Sequence, residues 1–103
     1  MSIDIGATAD FAKSEATKVT ADGRTLVVVR IEDDFYVLDD RCSHEDYYLS
    51  EGTVDTASCE IECTRHGAMF SLKDGMPQSF PATQPVRTYA VEVKNDRVEV
   101  TIS

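Results

Sequence analysis

The stretch TLVVVRIEDDFYVL at positions 25–38 carries the clearest secondary-structure pattern in this sequence. Residues 25–30 are rich in β-branched side chains and follow the turn Asp22-Gly23, and residues 35–38 form a second apolar run after the turn at 32–34. β-Branched and aromatic side chains favour strands, and two such runs joined by turn residues are typical of a hairpin. We therefore expect an antiparallel hairpin here.

The C-terminal part of the chain predicts a second hairpin, because residues 87–93 and 97–102 both alternate between apolar and polar side chains around the turn Asn95-Asp96. Between the two hairpins only residues 58–63 and 69–72 have a strand-like pattern. Strand-rich ends around a loop-rich middle indicate an all-β barrel or sandwich.

Two further stretches have weaker signals. Residues 77–85 contain three prolines and no periodicity, which predicts an extended loop. Residues 9–18 predict a short helix, although their threonine and serine residues weaken it.

Length and charge limit what the chain can do. With 103 residues it is expected to form one domain, residues 1–103, with one modest core. The net charge of −9 argues against nucleic acid or an anionic membrane as a partner and favours a basic partner surface. The longest apolar run is residues 26–29, too short for a membrane span, and the N-terminus lacks a signal pattern. An odd count of three cysteines fits a reducing compartment, so we expect the cytoplasm.

The sequence contains two histidines, and each follows a cysteine at close range: Cys42-Ser43-His44 and Cys63-Thr64-Arg65-His66. Two thiolates and two imidazoles can hold a structural zinc ion, but zinc sites usually pair cysteine with cysteine and histidine with histidine. Here each motif contains one cysteine and one histidine. This arrangement suits a two-iron cluster in which two cysteines hold one iron and two histidines hold the other.

The stretches CSHEDYYLSEG (42–52) and ECTRHGAMFSLKDG (62–75) resemble the cluster-binding region of Rieske-type ferredoxins, the small electron carriers of aromatic ring-hydroxylating dioxygenase systems. The resemblance includes Leu49, Gly52 and the later Phe80-Pro81, and it runs from about residue 25 onward. It implies a Rieske fold, in which an antiparallel β-sandwich base carries an inserted, loop-rich cluster-binding subdomain, here residues 41–75.

The resemblance also implies ligands and a function. Cys42, His44, Cys63 and His66 would bind one [2Fe-2S] cluster. The chain would have no turnover of its own and would work as a monomer, passing single electrons from an NAD(P)H-dependent flavin reductase to a terminal oxygenase.

Rieske clusters span about −150 to +300 mV. Respiratory members of the group carry an extra cysteine in each loop and two hydroxyl side chains after the second motif. Those places here hold Tyr47, Arg65, Ala68 and Phe70. Hydrogen bonds to the cluster raise the potential, so their loss predicts a value at the low end of the range.

Other residues near the motifs have a structural and a functional interpretation. Cys59 shares a strand face with Ile61 and is expected to be a buried free thiol. Four residues are either core side chains or a docking rim over the cluster: Tyr47, Tyr48, Phe80 and Pro81. Arg65 is either a solvated charge or a partner contact.

Two alternative functions stay open at this point: a zinc-stabilised regulatory module, and a non-redox small subunit similar to that of assimilatory nitrite reductase. The client oxidase is also open. The distribution of charge favours a redox partner near the motif, because six acidic residues and no Lys or Arg lie between positions 45 and 62. They are Glu45, Asp46, Glu51, Asp55, Glu60 and Glu62.

Overall fold

The computed structural model describes residues 2–40, 48–62, 69–78 and 85–102. These ranges contain β-strands and two 3-10 turns and no α-helix, as the all-β prediction requires. None of the described helical turns is long and apolar enough to cross a membrane. The strands are β1 Ser2–Ala7, β2 Glu15–Ala21, β3 Arg24–Ile31, β4 Asp34–Asp39, β5 Val54–Asp55, β6 Glu60–Glu62, β7 Met69–Ser71, β8 Thr88–Tyr89, β9 Val91–Lys94 and β10 Arg97–Thr101, and the 3-10 turns are Thr8–Asp10 and Leu49–Glu51.

The strands form three antiparallel sheets. One sheet has the order β1-β10-β9, the second has the order β2-β3-β4-β8, and the third has the order β5-β6-β7. The second and third sheets are the ones that lead to the predicted ligand motifs, because β4 ends just before Cys42 and β6 ends just before Cys63.

The predicted first hairpin is confirmed as β3 and β4, with Ile31 paired to Asp34 across the turn. A second hairpin joins β2 to β3, and its turn residues Asp22 and Gly23 both have positive φ, at 51° and 73°. Positive φ at both central positions is the geometry of the hairpin turns whose twist matches the flanking strands.

The helix predicted for residues 9–18 is wrong. This stretch contains the 3-10 turn Thr8–Asp10 and the start of β2 at Glu15, with Ser14 at a φ of 64° between them. Thr17 and Val19 pair with β3 in register, so sheet pairing outweighs a helical propensity that was already weak.

The second predicted hairpin is confirmed in part. Asn95 and Asp96 form the turn between β9 and β10, with φ of 51° and 62°. The strand predicted over residues 87–93 breaks at Ala90: β8 before it pairs with β4, and β9 after it pairs with β10. The chain crosses from one sheet to another at this residue.

The core has two parts, one on each face of β3. Val27 and Val29 point into the loop-side core, and Leu26 and Val28 point into the base core. The loop-side core consists of Val27, Val29, Leu38, Leu49, Ile61, Phe70, Leu72 and Val86. The base core consists of Phe11, Ala21, Leu26, Val28, Val37, Tyr89, Val98, Val100 and Ile102.

Candidate metal centre

The four predicted ligands fall in two segments that lie outside the described residues. Cys42 and His44 belong to residues 41–47, the first ligand segment, and Cys63 and His66 belong to residues 63–68, the second ligand segment. Arg65, Phe80 and Pro81 also lie outside. Within the four described ranges, no three His, Cys, Asp or Glu side chains converge on a metal position. The structure defines the residues on which the ligand segments are mounted.

The ends of the first ligand segment are held together by Asp40. The Asp40 carbonyl oxygen accepts the Leu49 N–H, and one carboxylate oxygen accepts the Ser50 N–H at 2.6 Å. The other carboxylate oxygen accepts the Ser50 hydroxyl at 2.8 Å. Leu49 itself is fully buried in the loop-side core. Both flanks of the segment are therefore fixed to the sheet.

The second ligand segment joins β6 to β7, where Glu62 pairs with Met69. Gly52, just after the first segment's anchor, lies against this base: a side chain at Gly52 would overlap the Glu62 carbonyl oxygen. The Glu62 N–H also donates to the Thr53 carbonyl at 2.9 Å. The two ligand segments therefore start from adjoining positions, which a shared two-iron group needs.

The proline-bearing stretch starts from the same place. The Gln78 N–H donates to the Met69 carbonyl at 2.7 Å, and Phe70 forms a bridge with Pro77. The predicted extended loop over residues 77–85 thus begins beside the base of the second ligand segment, although residues 79–84 lie outside the described part of the chain.

A lysine and a tyrosine flank the first segment's anchor. The Lys18 ammonium lies 3.9 Å from an Asp40 carboxylate oxygen and 3.8 Å from the centroid of the Tyr48 ring. The Tyr48 side chain is 40% exposed, which excludes the core interpretation for this residue, and its role in a docking rim stays a prediction. Tyr47, Phe80 and Pro81 of the same prediction lie outside the described residues.

The third sheet presents acidic side chains on one face. In its register Asp55 lies directly opposite Glu60, and Glu62 shares the face of Glu60, while Ile61 points the other way into the core. Like charges directly opposite each other destabilise a sheet. Glu45 and Asp46, the other acidic residues next to the motif, lie outside the described ranges.

Cys59 differs from its prediction. It lies in the turn before β6 at a φ of 58°, outside the strand, and it is half-buried rather than buried. Its thiol is free and packs against the loop-side core. A hydrogen bond with Cys59, together with burial, raises the pKa of the Tyr36 phenol.

A tyrosine that the sequence analysis did not single out ties β8 to the sheet before the first motif. The Tyr89 hydroxyl donates to Asp39 at 2.6 Å and accepts from Arg24 at 3.2 Å. Burial, and then the hydrogen bond to Asp39, raise the pKa of Tyr89. Asp39 also donates its backbone N–H to Arg87, so this network adjoins the anchor at Asp40.

Sequence reasoning also missed the anchor residues Asp40, Ser50 and Lys18. In the sequence, Asp40 is marked only by its closeness to Cys42. The contact between Lys18 and Asp40 has no sequence signal, because it depends on the pairing of separate strands.

The donor set fits an iron–sulfur group. Two cysteines and two histidines, split evenly between two segments, would supply the ligands of a [2Fe-2S] cluster with one histidine-bound iron. The anchors place the bases of those segments side by side, joined through Gly52, Thr53 and Glu62.

Comparison with known proteins agrees with this donor set. A family model described as "Rieske [2Fe-2S] domain" matches residues 1–90. The anthranilate 1,2-dioxygenase ferredoxin subunit of Burkholderia cepacia is 33% identical over 98 residues, which cover 95% of this chain and 89% of that protein.

Two solved structures are also similar. The ferredoxin of carbazole 1,9a-dioxygenase from Nocardioides aromaticivorans IC177 superposes with a TM-score of 0.96 at 30% identity, covering 100% of this chain and 99% of that one. A ferredoxin in a complex of reduced oxygenase and oxidized ferredoxin in carbazole 1,9a-dioxygenase gives 0.88 at 38% identity, covering 96% and 91%.

Proposed function

The chain belongs to the family of Rieske [2Fe-2S] domains, and from this premise we propose that it carries single electrons to the terminal oxygenase of an aromatic ring-hydroxylating dioxygenase. The observation that carries the proposal is the mounting of two Cys/His segments on adjoining anchors at Asp40 and Glu62. The chain is an electron carrier and not an enzyme in its own right.

Each ligand has a role in the proposal. Cys42 and Cys63 hold one iron as thiolates, and His44 and His66 hold the other as neutral imidazoles. The bound cluster supplies one-electron chemistry, and no proton transfer by either imidazole is needed. Neutral ligands on one iron leave the oxidised cluster without net charge, which favours uptake of an electron relative to an all-cysteine cluster.

The partners and setting follow from the same proposal. A solved structure containing a related ferredoxin together with its oxygenase supports an oxygenase partner. We extend the proposal to an NAD(P)H-dependent flavin reductase as electron source, to a monomer, and to the cytoplasm. Residues 1–103 would act as one Rieske domain with a cluster-binding subdomain at 41–75, which contains all three strands of the third sheet.

The ligand assignment is tested by substitution at each position. His44→Ala, His66→Ala, Cys42→Ser and Cys63→Ser are each expected to abolish the red-brown colour and the reduced-state resonance of a Rieske cluster. The matched control is Cys59→Ser, which changes the third cysteine and leaves the spectrum intact. A spectrum that survives in a histidine variant, or disappears in the control, would contradict the assignment.

The same preparations separate this function from its alternatives. Metal analysis of the purified wild-type chain is expected to give two irons and two acid-labile sulfides per chain. A colourless protein with one zinc would favour the zinc-stabilised module, and a colourless protein without metal would favour the non-redox subunit.

The reduction potential is expected at the low end of the range of about −150 to +300 mV. Phe70, which stands where respiratory relatives have a hydroxyl, is fully buried in the loop-side core and has no donor to offer the cluster. A spectroscopic redox titration measures the value, and a potential well above zero would refute the prediction.

A further inference from the structure

Asp40 is the one charged or polar residue that is buried among the described parts of the chain, with no exposed surface. A buried carboxylate is costly unless its oxygens are paired. Here both oxygens are paired, since one accepts the Ser50 N–H and the other accepts the Ser50 hydroxyl. The backbone of Asp40 is fixed as well as its side chain, because the Asp40 N–H donates to the Thr25 carbonyl at 3.1 Å.

The position of this carboxylate relative to the ligands is set by the chain itself. Asp40 precedes Cys42 by two residues, so covalent geometry keeps their Cα atoms within about 7.6 Å. The charge is therefore held two residues from the first predicted ligand, in a place without direct contact with solvent. Charges that are buried are screened much less than charges at the surface.

Among the residues that the structure describes, Lys18 is the cation that faces this carboxylate. Its ammonium lies 3.9 Å from Asp40 and is half-exposed, so water and ions screen it and it offsets only part of the buried charge. The ring of Tyr48 lies under the same ammonium and holds it in place. Lys18 therefore leaves part of the negative charge of Asp40 unbalanced.

We propose that Asp40, fixed by Ser50 and faced by Lys18, positions the first ligand segment and lowers the reduction potential of the cluster through its buried negative charge. The proposal rests on the proposed function, since it needs a bound cluster. Reduction adds one electron to that cluster and makes it more negative, so a fixed anion nearby opposes reduction. Asp40 therefore lowers the reduction potential, as does the loss of hydroxyl donors after the second motif.

The test is a redox titration of paired variants in the cluster-loaded protein. Asp40→Asn keeps the shape and an acceptor for the Ser50 N–H and removes the charge, so the potential is expected to rise. Lys18→Gln removes the cation and leaves Asp40 charged, so the potential is expected to fall. Shifts of the reduction potential in opposite directions indicate an electrostatic effect. Loosening of the loop alone would not shift the potential in opposite directions in the two variants.

Matched controls correct for the change in net charge. Asp34→Asn removes an exposed carboxylate at the opposite end of β4, and Lys13→Gln removes a half-exposed lysine before β2. Both are expected to leave the potential unchanged. If Asp40→Asn and Lys18→Gln shift the potential no more than these controls, or shift it in the same direction, the proposal is wrong.

The positioning role has its own readout. Ser50→Ala keeps the charge of Asp40 and removes one of its hydrogen bonds, so the cluster is expected to be released about tenfold faster in the presence of a chelator, as for other partners that orient metal ligands. This variant and Lys18→Gln keep the test decisive if Asp40→Asn fails to load. A colourless wild-type protein would instead refute the proposed function itself, and a coloured wild type with unchanged variants would refute this inference alone.

Discussion

Gly52 packs directly against the base of the second ligand segment, and this close contact leaves no room for a side chain. Its φ of −89° is open to any residue, so the constraint is space: a Cβ atom there would overlap the Glu62 carbonyl. Because Cys63 follows Glu62 directly, any shift that relieves the overlap moves the base of the second ligand segment.

We therefore expect Gly52→Ala to lower the free energy of unfolding by about 1–3 kcal/mol and to speed release of the cluster. Urea denaturation and the decay of visible absorbance measure the two effects. Gly23→Ala is the matched control, since it has a φ of +73° but open space around it, and it should cost about 1 kcal/mol of backbone strain without affecting the cluster. Equal cluster release in both variants would contradict this account of Gly52.

Tyr89 is expected to make stability depend on pH in the alkaline range. Burial and the hydrogen bond to Asp39 raise its pKa above the ordinary value near 10, so the folded protein favours the protonated phenol. Stability from this group is therefore fully present below about pH 10 and is lost as the pH rises through the folded-state pKa.

Tyr89→Phe removes that titration. We expect the variant to lose about 1 kcal/mol of stability at neutral pH, where the hydrogen bonds are made, and to lose less than the wild type as the pH is raised above about 10. Urea denaturation followed by circular dichroism at several pH values measures both. Parallel pH curves for the two proteins would show that Tyr89 does not cause the dependence.

At the scale of elements, β3 divides the molecule into two cores with alternate side chains. Val28 and Val29 are both fully buried, but only Val29 belongs to the core that also contains Leu49, Ile61 and Phe70 beside the ligand segments.

Truncation of either valine is expected to cost about 2 kcal/mol, because each removes two buried methyl groups and leaves a cavity. Val29→Ala should also speed cluster release, whereas Val28→Ala should leave it near the wild-type rate. Denaturant melts and chelator-induced bleaching provide the comparison. If both variants bleach equally fast, the two cores do not act separately on the metal centre.

The elements show why some structure was predictable and some was not. The β3–β4 hairpin was predicted because Val27, Val28 and Val29 and the flanking turns carry a local signal. β2 was missed because its pairing with β3 supplies what its own sequence lacks, and the break at Ala90 depends on two different partners for β8 and β9. Local patterns predict single strands, whereas partner choice depends on tertiary packing.

At the scale of the whole molecule, the charge of −9 and the acidic face of the third sheet predict that this sheet takes part in the encounter with a basic partner. Asp55 and Glu60 face each other on its acidic side at some cost in stability. A field of one sign attracts a partner of the opposite charge, and salt screens it over about 10 Å at 0.1 M ionic strength.

Electron transfer to the partner is therefore expected to slow about tenfold or more when ionic strength rises from about 0.02 to about 0.5 M. The variant Asp55→Asn/Glu60→Gln should flatten this dependence, while the matched Glu15→Gln/Asp34→Asn, which changes exposed acids on β2 and β4, should keep it. Stopped-flow kinetics with reduced protein measure the rates, and a rate indifferent to salt would mean that the acidic face is ordinary solvated surface.

The candidate site was predictable to a similar degree. The types and spacing of Cys42, His44, Cys63 and His66 are local information and led to a two-iron cluster, an expectation that the family match supports. The clamp between Asp40 and Ser50 and the contact of Lys18 with Tyr48 join residues from separate elements, so no local spacing indicates them.

The closure between Asp40 and Ser50 has a thermodynamic consequence for metal capture. Bringing together the ends of a flexible segment costs entropy that grows with the logarithm of its length. Here the bonds of Leu49 and Ser50 to Asp40 bring the two ends together during folding, so this entropy is lost before the cluster binds. We therefore expect less of the free energy of cluster binding to be consumed in bringing the ends of the first ligand segment together.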